Sequence, residues 1–354
     1  MKRKCNVVVL MGGPSSEHEI SLRTGKNVVQ GLDKSKYNVK PVTISREGQW
    51  LLPETGVTLI GDESERGGSL PVKRASPVKK LHREEVDVVF VALHGSYGED
   101  GKIQALLELM EIPYTGSGVC ASALAMDKVR CKQIVAYHGI LTPRHLVVEE
   151  ADWEANSDDV LAQVKRQLGF PCVAKPVAQG SSVGMGIPKN EEELRQLMPA
   201  ALSFEGSALI EEFISGREVT CGVLGGFPGE EPVPLPVTEI IPVTSTFFDY
   251  EAKYTPGASR EITPAEVDPE TTQRIQRTAV AVHNIIGAGS MSRTDMILSD
   301  KGLHFLEVNT IPGMTEISLL PQAAAVAGIS FPELLDRLIE VAIATHDVRK
   351  RQLG

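Results

Sequence analysis

Three oxygen-bearing side chains near the carboxyl end of the chain have the types and spacing of a magnesium site. Glu307 and Asn309 lie two residues apart at the end of a predicted strand, Leu303 to Val308, so both side chains should point the same way. A turn at residues 300–302 would place Asp295, on the preceding predicted strand, beside Glu307. Such oxygens are the ligands that Mg²⁺ takes when it also binds phosphates. The alternative is that these residues are merely solvated at strand ends.

A lysine followed by a glycine-rich loop indicates phosphate binding in the middle of the chain. Pro171 to Lys175 is a predicted strand, and residues 180–186 contain three glycines and two serines. Exposed backbone N–H groups in such a loop can cover phosphates. A lysine at the end of an apolar strand also needs a partner anion. A plain hairpin loop is the alternative.

The same loop contains Gly180-Ser-Ser182-Val-Gly184, which matches the G-x-S-x-G motif of α/β-hydrolases. That motif requires a strand running directly into the serine turn and a helix leaving it. Here four residues separate Lys175 from the motif, and the glycines and proline that follow it disfavour a helix. We therefore reject the hydrolase interpretation.

Composition excludes several classes of protein. With 354 residues, 42% of them hydrophobic, the chain is long enough for two or three globular domains. Its 46 acidic and 36 basic residues give a net charge of −10, which argues against a general binder of nucleic acid or of anionic membranes. The five cysteines show no metal-binding spacing, so we expect reduced thiols and a cytoplasmic protein. No apolar run approaches the roughly 18 residues of a membrane span.

Elements of the first third alternate in the order expected of an open α/β domain. Strands are predicted at Asn6–Met11 and Val86–Leu93, and helices at Glu17–Leu32 and Asp100–Met110. Ligands of such domains bind at the carboxyl ends of the strands, where Glu17 and His94 fall. Residues 62–80 are predicted to form an exposed loop or an irregular hairpin, to which we assign no function.

Helices and strands also alternate through the rest of the chain. Helices are predicted at Met126–Tyr137, Val160–Leu168, Pro269–Ile286, Ser318–Gly328 and Phe331–Thr345, and strands from Ala208 and at Leu235–Val243. Glu211 and Glu218 could bind ribose hydroxyls or an adenine amino group, or could be solvated. The long irregular segment at residues 246–264 is predicted to be a lid or to be disordered.

Together, these motifs resemble those of the D-alanine:D-alanine ligases in the ATP-grasp superfamily, and the resemblance runs nearly end to end. The matching motifs are Gly12-Gly-Pro-Ser-Ser-Glu17-His-Glu-Ile-Ser, Ala92-Leu-His94-Gly, Tyr114-Thr-Gly-Ser-Gly, Met126-Asp-Lys128, Lys175-Pro with Gly180-Ser181-Ser-Val-Gly, Asp249-Tyr-Glu-Ala-Lys253-Tyr254, Arg293-Thr-Asp295, and Glu307-Val-Asn309-Thr with Pro312-Gly-Met-Thr.

The resemblance implies an ATP-grasp fold that combines α/β and α+β parts. An amino-terminal α/β substrate-binding domain would span residues 1–122. A central lobe with the glycine-rich flap would span 123–215, and a carboxy-terminal lobe with the lid and metal site would span 216–354. The two α+β lobes would clamp ATP between them.

The implied activity is ATP-dependent ligation of two D-alanine molecules through a D-alanyl phosphate, with release of ADP and phosphate, for peptidoglycan precursor synthesis. Two Mg²⁺ ions would serve as cofactors, with Mn²⁺ as a substitute, and ATP would be the co-substrate. D-alanine and ATP would be the partners, with no nucleic acid and no membrane. The family also implies a homodimer.

The resemblance assigns roles in the nucleotide and metal sites residue by residue. The ATP-binding residues would be Lys128, Lys175, Ser182, Glu211, Glu212, Phe213, Ile214, Glu218 and Lys253. Among these, the two lysines Lys128 and Lys175 would bind phosphates, 211–214 would line the adenine slot and Glu218 would hold the ribose. The metal ligands would be Asp295, Glu307 and Asn309.

Further roles concern the two D-alanine sites. Glu17 would bind the first ammonium group, with His94 also in the substrate site. The oxyanion of the tetrahedral intermediate would be stabilised by Arg293 and the Gly313 N–H. Ser318 would cap the following helix and, with the Leu319 N–H, bind the second carboxylate. The residues that would close the flap and lid are Ser181, Tyr254 and Glu17.

Two features bear on the second substrate. Tyr254 stands where relatives that make D-alanyl-D-lactate have a histidine, so an amine nucleophile and a dipeptide product are expected. Two departures from the family are Glu316-Ile, where Ser-His is frequent, and the lid sequence after Tyr254. The alternatives are a ligase for another second substrate, such as D-serine, and a non-catalytic nucleotide-binding homologue.

Overall fold

A computed structural model describes residues 3–51, 85–180, 183–242 and 259–353. The predicted loop at 62–80, the flap serines Ser181 and Ser182, and the lid residues Lys253 and Tyr254 lie outside these ranges. The described residues form three sheets with helices packed against them. No described helix is both long and apolar enough to cross a membrane.

The first sheet lies in the amino-terminal part of the chain. Its strands are β1 (Cys5–Gly12), β2 (Tyr37–Ile44), β3 (Trp50–Leu51) and β4 (Val88–Val91), in the order β3-β2-β1-β4. Strand β1 runs parallel to β2 and β4, and its run of apolar residues is buried because both faces are covered. The flanking helices are α1 (His18–Gly31) and α2 (Lys102–Leu109). The predicted α/β opening is confirmed, and β2 is an addition to it.

The second sheet is antiparallel and consists of β5 (His145–Glu149), β6 (Cys172–Pro176) and β7 (Ser207–Glu212), in the order β5-β7-β6. Helices α5 (Glu150–Gln167) and α6 (Glu191–Leu202) pack against it. Sequence reasoning found only the second half of α5, which has a kink at Asn156.

The third sheet consists of β8 (Arg217–Leu224), β9 (Val233–Pro234), β10 (Thr238–Pro242), β11 (Ser259–Ile262), β12 (Met291–Ser299) and β13 (Gly302–Asn309). The order is β11-β10-β8-β12-β13, and β9 pairs with β8. Helix α7 (Pro269–Ile286) packs on this sheet with the predicted bounds. Its carboxylate cap, Asp268, accepts a hydrogen bond from the Thr271 N–H, and Gly287 ends the helix with a φ of +68°.

Four further helices lie within the described residues. Helices α3 (Val119–Met126) and α4 (Lys128–Tyr137) pack on α7 and β13, whereas α8 (Leu319–Val326) and α9 (Phe331–Leu353) contribute to the core of the first sheet. The prediction of one helix from Met126 is wrong at its start, because Asp127 separates α3 from α4 and caps α4. Each sheet lies within one of the three predicted domain ranges, and the boundaries themselves stay a prediction.

Candidate active site

Two neighbouring cavities share the side chain of Glu307 as a common wall. The larger, of about 390 Å³, lies among the loops that follow β1, β4 and β13. The smaller, of about 120 Å³, lies between the second and third sheets. Of the site residues predicted from sequence, those that line the larger cavity are Glu17, His94, Arg293, Glu307, Asn309, Gly313, Ser318 and Leu319. Those in the smaller are Lys128, Lys175, Glu211, Glu212, Phe213, Ile214, Glu218, Asp295 and Glu307.

The junction of the cavities is built on the β12–β13 hairpin. Asp295 pairs directly with Glu307 in the antiparallel register, and Arg293 pairs with Asn309. Side chains directly opposite one another share a sheet face, so the predicted approach of Asp295 to Glu307 is confirmed. A β-bulge follows Asp295, as is common beside functional sites.

Asp295 is surrounded by hydrogen-bond donors. Its carboxylate accepts hydrogen bonds from Arg293 Nε and Nη2 at 2.9 and 2.8 Å, and from Asn309 Nδ2 at 3.1 Å. Thr220 Oγ1 donates to the same carboxylate at 2.6 Å. These bonds hold a buried negative charge at the place where the two cavities meet.

Two carboxylates and one amide oxygen at this junction suit a hard cation. The described residues contain no group of three or more His, Cys, Asp or Glu side chains placed for a metal. A site with fewer protein ligands fits Mg²⁺, which retains water and is often held by one or two carboxylates together with substrate phosphates. The donor set of Asp295, Glu307 and Asn309 therefore fits the metal predicted from sequence.

The smaller cavity combines an apolar slot with lysines. Val173, Met185, Ile187 and Phe213 supply apolar walls suited to a planar ring. At the end nearer the junction, Lys128 Nζ donates to the Gln179 carbonyl at 2.6 Å and lies 3.7 Å from Glu307 Oε2. The cavity can therefore bind a flat apolar group at one end and an anionic group at the other.

A buried cluster of one acid and two lysines lies behind this cavity. Glu211 is 2% exposed, and its carboxylate lies 2.8 Å from Lys132 Nζ and 2.6 Å from Lys175 Nζ. Burial disfavours the charged carboxylate, but the two ammonium groups outweigh burial and lower the pKa of Glu211 to about 2. Thus the partner anion expected for Lys175 is Glu211, and not only a ligand phosphate.

Lys132 is a residue that sequence reasoning missed. It is fully buried, and burial lowers the pKa of its ammonium group even though Glu211 and Phe305 O lie beside it. The sequence did contain a pattern that could have identified Lys132, because it lies four residues after Lys128 and therefore on the same helix face. Glu212 points to the other face of β7 and forms an ion pair with Arg144 at 2.6 Å.

Glu17 reaches the larger cavity between two glycines. A Cβ atom on either Gly95 or Gly180 would lie 2.5 Å from Glu17 Oε2, so the carboxylate fills space that only glycine leaves. His94 is buried beside it and lies within hydrogen-bond distance of Thr24 Oγ1, at 2.8 Å. Burial lowers the pKa of His94 although the Glu17 charge opposes this effect, so the ring is neutral at pH 7. Both residues lie where the first sheet was predicted to bind ligand.

The loop after β13 forms the opposite wall of the larger cavity. Ser318 occupies the N-cap position of α8, as predicted, but its side chain makes no capping bond. The predicted side-chain cap is wrong, because the Ser318 hydroxyl instead accepts a bond from the Thr315 N–H at 2.9 Å. Gly313 must be small here, since a Cβ would lie 2.7 Å from Ser318 Oγ. Asn27 of α1 holds this loop through the Met314 carbonyl at 2.6 Å.

A further acid in the larger cavity, Glu99, was also missed. Its two carboxylate oxygens accept hydrogen bonds from the N–H groups of Gly95 and Ile311, at 2.9 and 3.0 Å. Burial, with the Glu17 charge adding to it, raises the pKa of Glu99 to about 8. No short-range sequence pattern pointed to it, because Ile311 lies more than two hundred residues further along the chain.

Comparisons with known proteins give the family. The profile of the D-ala D-ala ligase N-terminus matches residues 6–117, and that of the D-ala D-ala ligase C-terminus matches residues 134–340. A protein of Pelotomaculum thermopropionicum named D-alanine–D-alanine ligase is 40% identical over 98% of this chain and 99% of its own length. The chain belongs to the D-alanine–D-alanine ligase family.

Solved structures of D-alanine–D-alanine ligases have the same fold. The enzyme from Coxiella burnetii superposes with a TM-score of 0.82 at 29% identity and covers 99% of this chain and 97% of its own. The Bacillus anthracis ligase, solved as a complex with ATP, superposes with a TM-score of 0.75 at 32% identity, over 98% of this chain and 100% of its own. The predicted ATP-grasp fold of this family is therefore confirmed.

Proposed function

We propose that this chain joins two D-alanine molecules to D-alanyl-D-alanine at the expense of ATP, releasing ADP and phosphate, as a step in peptidoglycan precursor synthesis. The observation that carries the proposal is the junction of the two cavities at Glu307 and Asp295. A nucleotide in the smaller cavity would place its terminal phosphate beside an amino acid in the larger one.

ATP would bind with adenine in the apolar slot and its phosphates at the junction. Residues 211–214 and Glu218 line this cavity and would contact the adenosine. Lys128 and Lys175 would bind the phosphates, and Ser182 of the flap and Lys253 of the lid would contribute. Glu211 would act mainly by holding Lys175, because its carboxylate is already paired.

Asp295, Glu307 and Asn309 would hold two Mg²⁺ ions, or Mn²⁺ in their place. When bound, these ions would neutralise charge on the transferring phosphoryl group. Arg293 holds Asp295 in position through two hydrogen bonds.

The first D-alanine would bind with its ammonium group at Glu17, beside His94. One oxygen of its carboxylate would attack the γ-phosphorus and the bond to the β-phosphate oxygen would break, giving D-alanyl phosphate and ADP. Closure over this intermediate by Ser181, Tyr254 and Glu17 would exclude water, which would otherwise hydrolyse it.

The second D-alanine would bind with its carboxylate at the amino terminus of α8, near Ser318 and the Leu319 N–H. Its amine would attack the carbonyl carbon of the intermediate, and phosphate would leave with the oxygen that had bridged phosphorus and carbon. Arg293 and the Gly313 N–H would stabilise the tetrahedral oxyanion. The active species is proposed to be a cytoplasmic homodimer.

Product analysis tests this function. Purified protein is incubated with Mg-ATP and D-alanine, and ADP and the peptide product are measured by a coupled assay and by mass spectrometry. Parallel reactions contain L-alanine, D-lactate or D-serine. The proposal predicts D-alanine-dependent ADP and D-alanyl-D-alanine in equal amounts. Nucleotide binding without D-alanine-dependent turnover would contradict it, and preferential incorporation of D-serine would identify a different second substrate.

A further inference from the structure

The loop between β4 and α2 brings an unassigned carboxylate into the substrate cavity. This loop turns at Gly95, whose φ is +69°, and returns so that the Glu99 N–H donates to the Gly95 carbonyl at 2.8 Å. The side chain of Glu99 thereby comes to line the same cavity as Glu17 and Arg293. None of the roles proposed above uses it.

Glu99 joins two segments that belong to different sheets. One carboxylate oxygen, Oε2, accepts a hydrogen bond from the N–H of Gly95, which lies against the Glu17 side chain. The other oxygen, Oε1, accepts one from the Ile311 N–H. Ile311 lies midway between Asn309 and Gly313. Glu99 therefore helps to fix the distance between the first-substrate wall and the loop that carries the proposed oxyanion donor.

The electrostatic setting shows that this position is costly for a carboxylate. Burial and the neighbouring Glu17 charge both raise the pKa of Glu99, and the two N–H groups and Arg293 only partly offset them. A residue needed only to fill space would be more stable here as a neutral side chain. A glutamine of the same shape cannot reproduce both of its backbone bonds, because the amide NH₂ group cannot accept a hydrogen bond.

We propose, on the basis of the function above, that Glu99 is a positioning residue for the ligation step. By holding the Ile311 backbone against Gly95, it keeps the Gly313 N–H aligned with the carbonyl of the acyl phosphate bound near Glu17. Glu99 does not line the nucleotide cavity. Phosphoryl transfer should therefore depend on it much less than attack by the second amine.

The test is Glu99→Gln. The amide oxygen of the glutamine can still accept one of the two hydrogen bonds, but its NH₂ group would face the other N–H and cannot accept from it. Rapid-quench measurements of the first turnover follow ADP and dipeptide separately. We expect dipeptide formation to slow by about tenfold to a hundredfold, as for a buried N–H group that loses its hydrogen-bond acceptor. ADP formation and the KM for ATP should stay close to those of the unsubstituted protein. The matched control is Glu108→Gln on α2, outside both cavities, which should leave both rates unchanged.

Two outcomes would overturn the inference. Unchanged dipeptide formation would show that Glu99 has no role. An equal loss of both steps, with a higher KM for ATP or a lower Tm, would show a general structural role. Should Glu99→Gln fail to fold, Glu99→Asp keeps a carboxyl group but is too short for both bonds. The inference then requires Glu99→Asp to slow dipeptide formation while leaving ADP formation unchanged. Failure of the unsubstituted protein to make dipeptide would instead refute the proposed function.

Discussion

Glu211 offers the most quantitative prediction, because a nearly inaccessible carboxylate lies between two lysines. In Glu211→Gln the side chain keeps its size but loses its charge, so the ammonium groups of Lys132 and Lys175 remain buried without their anion. Glutamine resembles the protonated acid in this respect. The variant should therefore lose the free energy by which the folded protein favours the ionised form.

The pKa gives the magnitude and the pH dependence of this loss. The difference between the ordinary value of 4.5 and about 2 in the folded protein corresponds to about 3 kcal/mol of unfolding free energy. Loss of one partner from a buried ion pair typically costs about 3 to 5 kcal/mol, in agreement with this value. Because the folded-state pKa is the lower one, the stabilisation is complete above pH 4.5 and is lost as the pH falls towards 2.

Urea unfolding of the ligand-free protein measures this effect. The matched control is Glu212→Gln, the adjacent residue, whose carboxylate pairs with the exposed Arg144. At neutral pH we expect Glu211→Gln to lower the unfolding free energy by about 3 kcal/mol and Glu212→Gln by less than about 1 kcal/mol. The first difference should shrink below about pH 4. Equal small losses in both variants, or a loss for Glu211→Gln that does not change with pH, would refute the electrostatic explanation.

Two further substitutions test the junction and the first-substrate site. Glu307→Gln should abolish D-alanine-dependent ADP release while leaving the Tm near that of the unsubstituted protein, and near-normal turnover would contradict the metal-site assignment. Gly180→Ala places a Cβ 2.5 Å from Glu17 Oε2, so it should raise the KM for D-alanine more than the KM for ATP. Steady-state kinetics with each substrate varied would show this difference. An unchanged KM for D-alanine would mean that Glu17 does not set that site.

The features predicted correctly from sequence are those with a local cause. The β12–β13 hairpin follows from apolar strands around an Asp-Lys-Gly turn, and its register placed Asp295 opposite Glu307. The predicted bounds of helix α7 are those of the structure, in which Asp268 caps its start and Gly287 ends it. Local patterns thus identified both the metal-site hairpin and the helix behind it.

What sequence reasoning missed depends on contacts between distant segments. Lys132 is part of the site because β7 and β13 bring Glu211 and Phe305 to it, and Glu99 because Ile311 reaches it from the third sheet. The Ser318 hydroxyl forms a hydrogen bond with Thr315 instead of capping α8. The residue type at the N-cap position alone does not show which of these two partners a serine takes. The roles of individual site residues were assigned from the family resemblance instead, which runs nearly end to end.

The most direct test of the central claim follows oxygen from D-alanine to phosphate. D-alanine labelled with ¹⁸O in its carboxyl group is supplied with unlabelled Mg-ATP, and the released phosphate is analysed by mass spectrometry. If a D-alanyl phosphate forms where the two cavities meet at Glu307, each phosphate carries one labelled oxygen from the substrate carboxylate. Unlabelled phosphate, released together with the dipeptide, would contradict this mechanism.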